Sequence, residues 1–131
     1  MDLKEIFAPL AQNVAVDLNG APAAETVLYT IPAAKIGMPA FLILHGFSAA
    51  CGTAVITVGK SGGSCDEFLG DQTLTNIAAA GDYLILMPIP HGTAKKLVEF
   101  AAAEEITIEI TTAEGGALAC EADVYGRLKD A

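Results

Sequence analysis

From Glu104 to Leu128 the side chains alternate, and no other stretch constrains the fold as tightly. Ile106, Ile108 and Ile110 are interleaved with Thr107, Glu109 and Thr111. After Ala113-Glu114-Gly115-Gly116, residues Leu118, Cys120, Ala122, Val124 and Leu128 are interleaved with Ala119, Glu121, Asp123 and Arg127. Successive side chains of a strand point to opposite faces, so a period of two collects the apolar set on one side. The spacing predicts an antiparallel hairpin that turns at Gly115-Gly116, with one face buried and the other wet. This defines a fold class and names no reaction.

A chain of 131 residues suits one domain with a single core. Its 53% hydrophobic and 18% charged residues exclude intrinsic disorder. Ala supplies much of that apolar count and Trp is absent, so Val, Ile, Leu, Ala and five Phe must build the core. The formal charge is −9, from seven Lys plus Arg against sixteen acids. Such a balance cannot form a broad basic patch, which argues against nucleic acid and anionic membranes as partners. It also keeps free copies soluble through mutual repulsion.

The three cysteines, Cys51, Cys65 and Cys120, are odd in number and widely spaced. Free, buried thiols in a reducing cytoplasm are expected. The start, Met1-Asp2-Leu3-Lys4-Glu5, carries no apolar signal core, so no secretory peptide is expected. The longest apolar run, Ile36 to Leu44, is interrupted by Gly37 and Pro39 and is too short to span a bilayer.

Asp2 to Leu10 reads as a short helix, because Leu3, Ile6, Phe7 and Leu10 fall on one helical stripe. Asp2 and Glu5 have capping-box spacing, and Pro9 ends the helix. So short a helix is unstable alone and must pack on its own domain or, as an arm, on a neighbouring subunit. Leu3, Ile6, Phe7 and Leu10 are therefore the candidate partner contacts. Ala11 to Ala24 reads as an extended connection with a turn at Asn19-Gly20. Residues 1–24 form this arm and connection, and residues 25–131 the β domain.

Strands are expected at Glu25 to Ile31, Pro39 to Phe47, Thr53 to Val58, Tyr83 to Met87 and Lys95 to Phe100, ahead of the closing pair. Leu74 to Ala80 fits a strand or a helical turn. Gly- or Pro-bearing turns separate about eight short strands at nearly even spacing. The pattern predicts an all-β, single-domain antiparallel β-sandwich, jelly-roll-like, because no helical segments separate the strands as an α/β fold requires.

Several stretches imitate catalytic motifs. Gly59-Lys60-Ser61 suggests a phosphate-binding loop, but Ala54 stands where that motif needs glycine and no helix is expected after Ser61. A surface hairpin loop is the plainer reading. Leu42 to Phe47, with His45-Gly46, looks like the oxyanion segment of α/β-hydrolases. The elbow candidate Gly62-Gly63-Ser64-Cys65-Asp66 lacks its last glycine and precedes no credible helix, and no His follows in the last third. His45 and His91 are the only histidines, and neither pairs with a Cys at zinc-site spacing. Asp66, Glu67 and Asp71 cluster without the spacing of a calcium loop. Adjacent Glu104 and Glu105 would point to opposite faces of a strand and cannot serve one substrate as acid and base. No catalytic, cofactor-binding or metal-ligating residue is expected.

Two stretches resemble a known family. Thr26 to Lys35, Thr-Val-Leu-Tyr-Thr-Ile-Pro-Ala-Ala-Lys, resembles the "LYTVPAGK" opening of many small structural proteins of tailed bacteriophages, with Ala34 where those proteins usually carry Gly. Gly81 to Leu128 is similar to the closing half of their head decoration, or cement, proteins: Gly81-Asp82, a strand to Phe100, Ile106 to Thr112, Gly115-Gly116 and Ala122 to Gly126. The resemblance covers about two thirds of the chain. It implies a β-sandwich that assembles, often as a homotrimer, on the exterior of a capsid after synthesis in the bacterial host cytoplasm. The implied partners are other copies and the major capsid protein, with no cofactor, no small-molecule substrate and no catalysis. A head–tail or tail accessory protein is the alternative within the virion. A carbohydrate- or host-binding β-sandwich is another, and the absence of Trp platforms counts against it.

Overall fold

The computed structural model describes residues 8–88 and 98–131. Its strands are β1 (Ala8–Asp17), β2 (Glu25–Thr30), β3 (Lys35–His45), β4 (Val55–Lys60), β5 (Leu69–Thr73), β6 (Leu84–Leu86), β7 (Glu105–Thr112) and β8 (Ala119–Asp130). Every pairing is antiparallel, and the pairs are nested: β4 with β5, β3 with β6, β2 with β7, β1 with β8. Further pairing of β3 with β8 and of β4 with β7 closes this ribbon into two sheets. The first sheet has the order β1-β8-β3-β6 and the second β2-β7-β4-β5. This is the two-sheet jelly roll that even strand spacing leads one to expect.

Nesting overturns the expected closing hairpin. β7 and β8 are strands, but they lie in opposite sheets and do not pair. Ile106, Ile108 and Ile110 of β7 and Cys120, Ala122 and Val124 of β8 are all buried, facing each other across the sandwich instead of sharing one side. The link between them is clasped by the β1–β2 turn. Leu18 donates its N–H to Leu118 O at 2.9 Å, Glu114 donates to Leu18 O at 3.0 Å, and Gly115 donates to Asn19 Oδ1 at 2.9 Å. Alternation tells which side chains are inside. It does not tell which strand lies alongside.

The start of the chain also differs from expectation. Ala8 to Leu10 is strand, not helix, and Ala11 to Asp17 continues β1 where a connection was expected. Leu10 is partly buried against the core of its own domain. Leu3, Ile6 and Phe7 lie outside the described residues. β1 escapes sequence reading because two register shifts, at Pro9/Ala11 and Ala11/Val14, break its alternation. Asn13 sits at φ 56°, and β1 is an edge strand, where Pro9 costs no ladder bond.

Of the strand expected at Lys95 to Phe100, residues 95–97 lie outside the described residues, and Val98 and Glu99 are irregular. Phe100 instead forms a two-way bridge to Gly37, with N···O distances of 2.7 and 2.8 Å, and its side chain is fully buried. Leu74 to Ala80 is neither strand nor helix but a series of turns that plugs Leu74 and Ile77 into the core.

The core fills the space between the sheets. Leu42 and Leu44 come from the first, Ile56, Val58 and the three Ile of β7 from the second. Gly126 is required where β8 crosses β3, because a Cβ there would collide with the Met38 carbonyl and stand 2.8 Å from Pro39 Cα. Ala34, in the turn before β3, adopts φ 58°, a region glycine enters without steric cost.

Candidate interaction surface

β6 forms one edge of the first sheet. It is held to β3 by the register Leu42↔Leu86, Ile43↔Ile85 and Leu44↔Leu84. Leu84 and Leu86 turn inward onto the core. The alternate residues turn outward and are apolar as well: Tyr83 is 64% exposed, and Ile85 and Met87 are each 50% exposed. Ile85 lies beside half-buried Ile43, and on the neighbouring strands Phe41 stacks on Tyr125 with ring centroids 5.0 Å apart and planes 9° from parallel. A band of apolar side chains thus runs from β6 over β3 to β8. Edge strands with exposed apolar residues template further association, and proteins ordinarily blunt them with charge or cover them. The sequence concealed this surface, because Tyr83 to Met87 is apolar at every position and the alternation of its exposure has no polar partner to reveal it.

Beyond this band, the first sheet's outer face is polar. Asp123 Oδ1 accepts the Asn13 N–H at 2.7 Å and lies 2.9 Å from His45 Nε2. Burial raises the Asp123 carboxyl, but these two partners outweigh it and hold the group below the usual carboxylate range. His45, which suggested an oxyanion segment, is therefore a strand residue fastening β3 to β8 and to the bulge of β1. His91 lies outside the described residues.

Glu114 does similar work at the β7–β8 link. Its carboxylate accepts N–H groups from Gly52 at 2.7 Å, Thr53 at 3.1 Å and Ala54 at 3.0 Å, and the Cys51 thiol lies 3.2 Å away. Desolvation pushes Glu114 upward, yet the four donors prevail and bring it down to about 2. The same carboxylate, after burial itself, pushes the Cys51 thiol up.

On the second sheet the loop between β4 and β5 folds back over the outer face. Gly59 permits this approach, since a Cβ there would collide with Glu67 and stand 2.7 Å from Asp66 N. Glu67 accepts the Lys60 N–H at 2.7 Å; Glu25 accepts from Ser61 Oγ at 2.7 Å and from Gly62 N at 3.1 Å. The Gly59-Lys60-Ser61 segment is thus the end of β4 and a hairpin loop, and Lys60 pairs with Glu104 at 3.2 Å. Asp66 and Asp71 are exposed, and Ser64 lies in an exposed turn. Beneath the loop Thr107, expected on a wet face, is fully buried.

Cys51, Cys65 and Cys120 are free and buried, as expected. Burial, then the negative charge of Glu25 and Glu109, pushes the Cys65 thiol up to about 12. Burial is also the main cause that brings Cys120 to about 12. Thiols held so high are poor nucleophiles at neutral pH. Among the described residues one group of donors converges: Glu25, Cys65 and Glu109, with ligand atoms all within 4.8 Å of one another. They come from three separate stretches, so no spacing pattern announced them.

No protein-family model matches this chain, and no curated protein matches it either.

Proposed function

We propose that the protein is a virion structural protein: a capsid decoration protein that binds the outside of a tailed-phage head as a homotrimer and stabilises it. The observation that carries this reading is the apolar band at Tyr83, Ile85 and Met87, exposed among the described residues, on an otherwise acidic domain. Covering such a band stabilises association by roughly 25 cal/mol per Å² of apolar surface removed from water. The resemblance of Thr26–Lys35 and Gly81–Leu128 to phage head proteins supplies the partner. Jelly rolls serve in viral capsids, lectins and cupins alike, so the fold is compatible with this role without selecting it. In this reading the chain has no catalytic role, and stability passes to the particle through buried interface, on the order of 1,200–2,000 Å² for a specific contact.

The test has two parts. Light scattering after size exclusion should give a trimer, and the protein should co-sediment with capsids that lack it. Ile85→Asp should keep the fold and lose one or both associations. A monomer that ignores such capsids defeats the proposal. Imaging of labelled particles distinguishes capsid faces from the neck, the site of a head–tail protein.

A further inference from the structure

We propose that Glu25, Cys65 and Glu109 bind a single divalent transition-metal ion, zinc by their donor chemistry, on the outer face of the second sheet. Glu25 of β2 and Glu109 of β7 stand directly opposite each other in the register. The β4–β5 loop brings the Cys65 thiol over them, and the three donor atoms all lie within 4.8 Å of one another. Donors that share a zinc ion at roughly 2.0–2.3 Å stand within about 4 Å of one another, so a small inward movement completes the site.

Charge makes the case for a cation. Like charges directly opposite on neighbouring strands destabilise a sheet. Among the described residues, the Lys and His side chains that form ion pairs engage Asp130, Asp123, Glu104 and Glu99, and none engages Glu25 or Glu109. A divalent ion between the two carboxylates turns their repulsion into attraction.

An independent observation concerns Thr57. Its Oγ1 is buried and has no hydrogen-bond partner among the described residues. Thr57 is opposite Glu109 on the other side of β7's ladder, and its flanking residues Ile56 and Val58 fill the core, so its side chain stands on the same outer face as the cluster. Buried hydroxyls are nearly always satisfied. A metal-bound carboxylate or water provides the missing partner, in the way that outer groups orient the ligands of metal sites.

The donor set selects the metal. One sulfur with two carboxylates suits zinc and its neighbours in the transition series, whereas calcium and magnesium take oxygen ligands alone. Glu25 can serve while it accepts from Ser61 and Gly62, because each carboxylate oxygen carries two lone pairs. Binding releases the Cys65 proton to solvent as the thiolate coordinates, so affinity rises with pH. With three protein ligands the fourth position takes water. The ion would tie β2, β7 and the β4–β5 loop together.

The experiment uses the full chain stripped with a chelator and titrated with cobalt(II), then zinc. One equivalent of cobalt should produce a thiolate-to-metal charge-transfer band in the near ultraviolet, and zinc should abolish it. Zinc should also raise the Tm. Cys65→Ser should eliminate the band, Glu25→Gln and Glu109→Gln should each weaken binding at least tenfold, and Cys120→Ser should leave it unchanged. A missing band in the parent protein, or a band that survives Cys65→Ser or both glutamine substitutions, overturns the proposal. Should Cys65→Ser fail to fold, as judged by circular dichroism without metal, the two glutamine variants decide the question.

Discussion

The outer faces of the two sheets differ, although the strands that build them alternate in the same way. On the first sheet's outer face Asp123 is matched by His45. Beside that pair lies the exposed apolar band along β6 and β3. On the second sheet the reverse holds. Its face is covered by its own β4–β5 loop, and among the described residues no Lys, Arg or His forms an ion pair with Glu25 or Glu109. One face carries an exposed apolar band; the other is closed by a loop and, among the described residues, short of positive charge. Alternation supplies an outward set of side chains; chain connections decide whether that set meets water, a loop or a partner.

The largest expected effect removes the comparison altogether, because both sheets share one core. Leu42→Ala in the first sheet and Ile108→Ala in the second should each cost about 2–5 kcal/mol, read from urea midpoints at constant slope. A large inequality between them would show that the sheets do not unfold as one unit.

Glu114→Ala, at the link between the sheets, should cost roughly 1–3 kcal/mol, because it leaves the amides of residues 52–54 without their acceptor. The group also sets a pH dependence. Its folded pKa of about 2 lies below the ordinary 4.5, so its contribution is complete above pH 4.5 and is lost as the pH falls toward 2. Thermal melts between pH 2 and 6 should show a shallower acid slope for Glu114→Gln than for the parent.

Ala34→Gly should raise stability by up to about 1 kcal/mol, since glycine relieves the left-handed backbone at φ 58° at some cost in chain entropy. Calorimetry would detect this as a small rise in Tm. The smallest change in stability is expected for Ile85→Ser, within about 0.5 kcal/mol. Its readout is association: a variant that assembles as well as the parent would show that the first sheet's band is not the contact surface.

Much of the fold was legible because it rests on local pattern. Ile106, Ile108, Ile110, Cys120, Ala122 and Val124 are inside as their period of two required, and the three thiols are buried and free. β1 was not legible, since its bulges and Asn13 erase the alternation that a reader relies on. The apolar band was hidden for the opposite reason, a uniform apolar run with no contrast. The Glu25–Cys65–Glu109 group was beyond reach, because its members are brought together by a strand register and a folded-back loop.

What the sequence determined by itself is the acidic charge, the all-β class and the inward set of the closing strands. Each follows from side-chain chemistry read over a few residues. Only the tertiary structure decided that β7 and β8 belong to opposite sheets. Strands pair through backbone N–H and C=O groups that are the same at every residue, so the choice of neighbour depends on how the whole ribbon closes, with β4 and β5 at its centre and β1 and β8 at its ends.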